Sequence, residues 1–414
     1  MWTSGGSGLS SLRLRVMDMR VMDKRVMEMR VIDRGVMDMR VMEMRVIDRG
    51  VMDMRTRHCW VLLGARAVNV RRGPGLCVLQ VMVVRIMDMR VAFFGVFDGH
   101  GGTAAAKFAA SELASHVAQA AARRGAHASA AAVVEGYLET DRRFLDQNVA
   151  SGTSCLTCWA TPGRLLLAHA GDCKAVLVKG GRAVELTEDH RAGREDEQAR
   201  ITALGGFVDT ATGMPRVQGI LAVTRGIGDA HLKAFITPQP DVAQVRVGAD
   251  CSALILASDG LWDVVAPQEG ADVVMACVGT ALEVRAAAGE AKAAEREVGA
   301  AAGTSEEVVA TERPANLATL QQASAAVLAE ERESESGGSK KVEGAFHSEK
   351  GIRDCSGGGG SERGGSERET REVDGEVLLS ACQALVGMAA ARGSRDDITV
   401  MLVSLAPFAE SAAS

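Results

Sequence analysis

Aspartates that follow apolar segments of strand length are the residues in this sequence with the most evident chemistry. Each lies in or beside a glycine-containing turn, and they are Asp98, Asp172, Asp259 and Asp396. Side chains at strand ends can point into a shared cleft, and Mg²⁺ and Mn²⁺ prefer carboxylate, carbonyl and water oxygens. Together the four aspartates predict a site for divalent cations, although a single Asp-Gly pair is more often a plain turn.

The segment Phe97-Asp98-Gly99-His100-Gly101-Gly102 carries the sharpest signal. Its glycines let the backbone approach an ion closely, and the Gly99 carbonyl can itself be a ligand. His100 can exchange protons near neutral pH. This segment therefore predicts a metal ligand next to an acid–base group. His169 and His190 lie at a strand end or in a loop, where a histidine usually forms local hydrogen bonds, and we expect structural roles for both.

The elements that must position these residues begin at about Val91. From there, apolar runs alternate with turn residues and alanine-rich stretches. The predicted helices are Thr103 to Arg123, Ser129 to Val149, Glu195 to Leu204 and Val377 to Arg392. The predicted strands are Val91 to Phe97, Gly152 to Ala160, Leu165 to Ala168, Ala175 to Val178, Arg182 to Leu186, Gly219 to Val223, Val242 to Val247, Ala253 to Ala257 and Ile398 to Leu405. Strands and helices come in clusters, which favours antiparallel sheets covered by helices.

The composition excludes several classes of protein. The net charge of -6 gives no basic field for nucleic acid, so no nucleic-acid partner is expected. No segment has the roughly 18 uncharged apolar residues that a membrane-spanning helix needs. The nine cysteines are odd in number and scattered, which indicates a reducing compartment. Cys155 and Cys158 have no second pair to complete a zinc site, and we interpret them as structural.

Three regions lie outside the predicted folded segment. Residues 1–90 hold a pentapeptide array of the type Val-Met-Asp-Met-Arg, whose period of five fits neither a strand face nor a helix face. We interpret this array as low complexity, with a charged helix that docks on a partner as the alternative. Residues at about 280–376 form an insert rich in Ala, Glu, Gly and Ser that we expect to be mostly disordered. Residues 406–414 are a tail.

Six segments, taken in chain order, resemble the motifs of the metal-dependent protein phosphatases, the protein phosphatase 2C family. They are Val96-Phe97-Asp98-Gly99-His100-Gly101-Gly102, Ala170-Gly171-Asp172-Cys173-Lys174-Ala175-Val176, Leu186-Thr187-Glu188-Asp189-His190, Leu221-Ala222-Val223-Thr224-Arg225-Gly226-Ile227-Gly228-Asp229, Ala257-Ser258-Asp259-Gly260-Leu261-Trp262-Asp263 and Gly393-Ser394-Arg395-Asp396-Asp397-Ile398-Thr399-Val400. The resemblance covers Val91 to Gly279 and Val377 to Leu405.

The resemblance implies an α+β fold, a four-layer α/β/β/α sandwich of two antiparallel sheets flanked by helices. It also implies two divalent cations, Mg²⁺ or Mn²⁺, and a third with looser binding. The implied metal residues are Asp98 as the bridge between the two ions, the Gly99 carbonyl, Asp259, Asp396 and, for the third ion, Asp172. Asp263 and Asp229 are expected to support these ligands.

The implied reaction is hydrolysis of phosphoserine and phosphothreonine in protein substrates by a metal-activated water, with His100 as general acid. The resemblance thus predicts a serine/threonine phosphatase with phosphoprotein partners. We expect a monomer in the cytoplasm or nucleus, although the Ser/Gly-rich segment Met1 to Met17 leaves organelle targeting open.

The sequence departs from the family pattern at two places. Members usually carry an arginine followed by Met-Glu-Asp upstream of the first metal motif, and the nearest string here is Arg40-Val41-Met42-Glu43-Met44. Arg85 and Arg90 are candidates for the lost charge, and the phosphate-binding arginine is unassigned. In the last motif, Asp397 stands where the family usually has Asn. These departures leave a weakened or inactive phosphoprotein-binding regulator as the alternative function. A remoter alternative has the array and the insert as working parts on a scaffold domain.

Overall fold

The computed structural model describes residues 11–15, 26–34, 39–45, 65–70, 76–86, 89–125, 129–211, 213–281, 283 and 375–409. The predicted insert at 280–376 lies almost entirely outside the described residues, as do most of the pentapeptide array and the end of the tail. The helices are α1 (Ala104–Arg123), α2 (Ala130–Leu145), α3 (Glu195–Ala203), α4 (Asp259–Trp262), α5 (267–281) and α6 (Gly375–Ala391). Short 3₁₀ turns cover Ala230–Leu232 and Ala406–Phe408.

The described strands pair into two large sheets and one small one. They are β1 (Ser11–Arg15), β2 (Val26–Arg34), β3 (Met39–Arg45), β4 (Ala65–Val70), β5 (Leu76–Ile86), β6 (Met89–His100), β7 (Gly152–Thr161), β8 (Arg164–Ala170), β9 (Lys174–Lys179), β10 (Arg182–Glu185), β11 (Val208–Asp209), β12 (Arg216–Val217), β13 (Ile227–Gly228), β14 (Asp241–Arg246), β15 (Cys251–Ala257) and β16 (Ile398–Ser404). The first sheet has the order β1-β2-β3-β4-β16-β15-β9-β10, and the second has the order β14-β8-β7-β6-β5, with β13 paired to β7. Neighbouring strands are antiparallel.

The central strands are apolar on both faces because both faces are buried. In β6, Phe94 and Val96 belong to the core between the two sheets, whereas Phe93 and Phe97 pack with helices α1 and α2. This follows from the alternation of side chains along a strand. The same alternation places Cys155 and Cys158 of β7 in different cores, so these two side chains cannot share a metal ion.

Helices cover the outer face of each sheet. Helices α1 and α2 pack on the second sheet, and residues of α4, α5 and α6 pack on the outer face of the first. The molecule is therefore a layered α/β/β/α sandwich, and the fold class that the sequence predicts is confirmed. Within the described ranges, no helix is long and apolar enough to cross a bilayer.

The structure differs from the sequence prediction at several places. Strands β2 and β3 lie within the pentapeptide array, where no strand is predicted, and α5 covers residues for which no helix is predicted. Strands β4 and β5 precede Val91, the predicted start of the folded segment, and Ala67 and Leu79 from these strands are buried in the core between the sheets. The folded segment therefore includes strands upstream of the first metal motif. The predicted strand Gly219 to Val223 is wrong, because residues 218–220 form a turn and only isolated bridges follow it.

A buried ion network connects helix α3 to the segment that precedes β13. Glu197 is 1% exposed and accepts hydrogen bonds from Arg225 Nη2 at 2.6 Å and from Arg200 Nη2 at 2.8 Å. Burial pushes the pKa of Glu197 up, but the hydrogen bonds from Arg225, Thr224 and Arg200 outweigh it and hold the pKa at about 2. The ionised carboxylate therefore stabilises the folded state.

This network predicts a pH-dependent stability. A pKa held below its unfolded value contributes fully above about pH 4.5, and the contribution disappears as the pH falls toward the folded value of about 2. Glu197→Gln should lower the free energy of unfolding by about 3 kcal/mol near neutral pH, with a difference that shrinks below pH ~4. Urea unfolding followed by tryptophan fluorescence measures both. The exposed Glu195→Gln is the control, and a difference independent of pH would contradict the assignment.

Candidate active site

Asp98 and Gly99 lie at the end of β6, a central strand of the second sheet. The register places Asp98 between Cys77 of β5 and Ser154 of β7. The backbone carbonyl of Asp98 accepts a hydrogen bond from Thr153 Oγ1 at 2.9 Å. The main chain at this strand end is thus fixed by both neighbouring strands, and the Asp98 side chain extends from a rigid backbone.

Two loops of the first sheet bring Asp259 and Asp396 to the same end of the sandwich. Asp259 opens helix α4 directly after β15, and Asp396 precedes β16, which pairs with β15 in antiparallel register. Ser258 connects the loops, because its Oγ donates to the carbonyl of Asp397 at 3.0 Å and accepts from the N–H of Thr399 at 3.1 Å. The two acids therefore come together although 137 positions separate them in the sequence.

Asp172 reaches the site from the turn after β8. Its Oδ1 accepts a hydrogen bond from Ser154 Oγ at 2.9 Å, which links this turn to the strand beside Asp98. Gly171 has a φ of 123°, and a side chain there would collide with Ser154. His190 also supports the turn, because its Nδ1 accepts the N–H of Gly171 at 3.3 Å.

His100 is paired with Asp229, a residue 129 positions further along the chain. His100 Nε2 lies 2.9 Å from both carboxylate oxygens of Asp229. The carboxylate of Asp229 is 3% exposed, and the residue has a left-handed backbone with φ of 55°. Its N–H donates to the carbonyl of Ser151 at 3.0 Å. A side chain at Gly152 would occupy the space of this pair, so only glycine fits there.

Two of the carboxylates, those of Asp98 and Asp259, have raised pKa values because they are buried and other carboxylates lie near them. Burial raises the pKa of Asp98 most, and the charges of Asp172, Asp396 and Asp397 raise it further. Burial likewise raises the pKa of Asp259, followed by the charges of Asp172, Asp98 and Asp396. Asp98, Asp259 and Asp396 are therefore neighbours in the fold, and their repulsion favours a bound cation.

The donor set fits hard divalent cations. Asp259 Oδ1 is buried and has no hydrogen-bond partner in the described structure. In those same residues, no group of three or more His, Cys, Asp or Glu side chains is already arranged to hold a metal. One oxygen each of Asp172 and Asp396 is engaged, by Ser154 Oγ and by the Asp397 N–H. Mg²⁺ usually retains several waters and binds few carboxylates, so the oxygens that remain on these aspartates are of the type that such an ion uses.

Sequence reasoning missed the charged residues that surround the outer acids. Arg191 Nη2 donates to Asp263 Oδ1 at 2.8 Å, and Arg191 Nε lies 3.4 Å from Asp172 Oδ2. Asp189 lies beside both Arg191 and Lys174. A basic residue directly after the Asp189-His190 motif was the available signal. The other histidine, His169, stacks on His190 and donates to the carbonyl of Glu188 at 2.8 Å, a local structural role.

Comparison with known proteins identifies the class to which this fold and this cluster of carboxylates belong. The model of the family Protein phosphatase 2C matches residues 77–304, which is more than half of the chain. The chain belongs to this family. The match begins within β5, in agreement with the strands found upstream of Val91.

In curated relatives from plants, close to half of the aligned residues are identical to those of this chain. The chain is 49% identical over 216 residues to "Probable protein phosphatase 2C 32" of Oryza sativa subsp. japonica, covering 50% of this chain and 55% of that protein. It is 48% identical over 196 residues to "Probable protein phosphatase 2C 2" of Arabidopsis thaliana, covering 47% and 52%. The chain thus spans about half the length of the curated relatives that it matches.

Two solved structures share the fold at low sequence identity. A Caenorhabditis elegans sex determining protein superposes with a TM-score of 0.53 at 15% identity, covering 83% of this chain and 65% of that one. A phosphatase from a pathogenic strain of Toxoplasma gondii has a TM-score of 0.50 at 16% identity, covering 82% and 92%. Both comparisons show the layered sandwich alone.

Because the carboxylates are crowded, we expect the binding of a divalent cation to stabilise the folded protein. Without metal, Asp259→Asn should be at least as stable as the wild type, because burial and the neighbouring charges raise the pKa of Asp259 to about 9 and already favour an uncharged side chain there at neutral pH. Mn²⁺ at about 100 times its Kd should add about 2.7 kcal/mol to the wild type and much less to the variant. Thermal unfolding with and without Mn²⁺ tests this, with the exposed Asp250→Asn as control. Equal shifts in wild type and Asp259→Asn would contradict the site.

Proposed function

We propose that this chain is a metal-dependent protein phosphatase that hydrolyses phosphoserine and phosphothreonine in proteins. The observation that carries the proposal is the set of mutually repelling carboxylates at one end of the sandwich of a protein phosphatase 2C chain. The proposed ligands of two divalent cations are Asp98, the carbonyl of Gly99, Asp259 and Asp396. Asp172, with Asp263 beside it, is the proposed ligand of a third.

The cations, when bound, would supply the Lewis acidity that lowers the pKa of a water nucleophile and neutralises the charge of the phosphoryl group. The protein scaffold positions the carboxylates that would bind these cations. Asp98 stands on a fixed strand end, and Ser258 connects the loops of Asp259 and Asp396. This rigidity keeps the carboxylates in place without reorganisation during the reaction.

His100 is the proposed general acid, and Asp229 positions it. The carboxylate of Asp229 accepts a hydrogen bond from the Nε2–H of His100, which fixes the orientation of the imidazole ring. The other ring nitrogen, Nδ1, is then the atom that gives a proton to the serine or threonine oxygen as it departs. This step needs no covalent intermediate on the enzyme.

Phosphate release from a phosphothreonine peptide tests the function directly. The full-length wild type with Mn²⁺ should release phosphate, and EDTA should stop the reaction. Asp259→Asn should lower kcat/KM by at least about a hundredfold, since electrostatic stabilisation contributes on that scale. Turnover that survives both chelation and the substitution would contradict the proposal. Binding of the phosphopeptide by calorimetry without any release would favour the regulator instead.

The role of His100 predicts a dependence on the leaving group. His100→Gln should slow hydrolysis of a phosphothreonine peptide by about 10²- to 10⁴-fold, the usual contribution of a general acid. Hydrolysis of p-nitrophenyl phosphate should change far less, because nitrophenolate leaves without a proton. Asp229→Asn should show the same selective loss to a smaller degree. An equal loss on both substrates would reject proton donation by His100, and retained Mn²⁺ stabilisation controls for folding.

A further inference from the structure

One arginine lies among the outer carboxylates of the site. The guanidinium of Arg191 lies within ion-pair distance of four acids, at 2.8 Å from Asp263 Oδ1, 3.4 Å from Asp172 Oδ2, 3.6 Å from Asp259 Oδ2 and 3.9 Å from Asp189 Oδ2. Its side chain is 31% exposed, so it is partly buried against these acids. Of these acids, Asp172 and Asp259 are also proposed metal ligands.

The main chain fixes Arg191 in this position. Arg191 forms an isolated bridge with Val223, and its two neighbours are anchored as well. The carbonyl of His190 accepts the N–H of Thr224 at 2.8 Å, and the N–H of Ala192 donates to the carbonyl of Ala222 at 2.7 Å. The backbone therefore cannot retreat, and only the rotation of the side chain can move the guanidinium away from the acids.

The guanidinium is held by charge more than by a complete set of hydrogen bonds. Arg191 Nε is buried and has no hydrogen-bond partner among the described residues. Burial opposes the charge of Arg191, but Asp172 and Asp263 more than offset it, so the pKa of the guanidinium lies above its ordinary value. Asp172 is thus engaged by Ser154 through one oxygen and faces Arg191 with the other.

Arg191 and a further cation would need the same outer acids. Lys174, which lies 3.7 Å from Asp189, also pairs with Glu185 at 3.0 Å, so Arg191 is the cation that faces Asp172 and Asp263. A divalent ion at Asp172 and Asp263 would have to approach the same oxygens that face the guanidinium. Like charges repel at such distances, so the two cations cannot occupy the outer acids together.

We propose that Arg191 is an internal counter-ion that competes with a divalent cation for Asp172 and Asp263. In this arrangement, the guanidinium weakens the binding of a third ion, which enters only when the side chain rotates away. The two ions at Asp98, Asp259 and Asp396 are affected much less, because Asp259 is the only ligand they share with Arg191. This inference rests on the proposed metal site and adds a residue that sets how many ions the site holds.

Counting bound Mn²⁺ tests the inference without any measurement of activity. Free Mn²⁺ is titrated into the full chain and followed by its electron paramagnetic resonance signal, which disappears on binding. Arg191→Ala and Arg191→Gln, which retains more of the side chain, should each lower the Kd for Mn²⁺ at the weakest class of site by about tenfold or more, as expected when a competing charge is removed. Arg246→Ala removes the same charge from an exposed position on β14, at the end of that strand away from Asp241, and should behave as the wild type.

The possible outcomes separate this inference from the proposed function. If the Arg191 variants bind Mn²⁺ with the same number of sites and the same affinity as the wild type, or more weakly, the counter-ion role is wrong and the phosphatase proposal is unaffected. If neither the wild type nor the variants bind Mn²⁺, both proposals are wrong. Using two Arg191 variants of different size distinguishes the loss of charge from a cavity.

Discussion

Repulsion between carboxylates is the constraint on which the rest of this structure depends. Burial and the charges of Asp172 and Asp396 raise the pKa values of Asp98 and Asp259, because these carboxylates converge at one end of two packed sheets. Such an arrangement opposes folding unless the scaffold holds it together or a cation compensates it. Strands buried on both faces and the hydrogen bonds of Ser258 hold the carboxylates close together although their charges repel one another.

The polar groups around the acids stabilise the site in different ways. Neutral donors such as Ser154 hold one oxygen of an acid without neutralising its charge. Arg191 neutralises part of the charge at the outer acids. The buried Glu197–Arg225 network lies farther away and stabilises the segment that leads to Asp229. The site thus combines residues that fix geometry with residues that adjust charge, and the two tasks fall on different side chains.

Much of the fold was predictable because its signals are local. Apolar runs and glycine turns gave the strand that carries Asp98 and the helices α1, α2, α3 and α6 close to their observed bounds. Strands β4 and β5 were missed because their apolar residues lie beside a low-complexity array, although Gly73-Pro74-Gly75 directly before β5 was an available turn signal. The segment Gly219 to Val223 looked like a strand, but its bonds go to isolated bridges.

The site was predictable in its residue types and much less in its contacts. The aspartates stand out because each lies beside a strand, in or next to a glycine-containing turn. The pairing of His100 with Asp229 depends on a tertiary distance that no spacing along the chain reports. Arg191 escaped notice for the same reason, since a basic residue in a loop is usually solvated. Asp397 is buried, although the sequence indicated only a mild change from asparagine.

The double burial of β6 limits how this protein can evolve. Inserting or deleting one residue in this strand would exchange its two apolar faces, sending Phe93 and Phe97 toward the partner sheet and turning Asp98 out of the cluster. Lineages can therefore replace side chains along β6 but cannot change its length. The connection between α5 and α6 joins two helices on the same outer face, so a change in its length would shift no strand register.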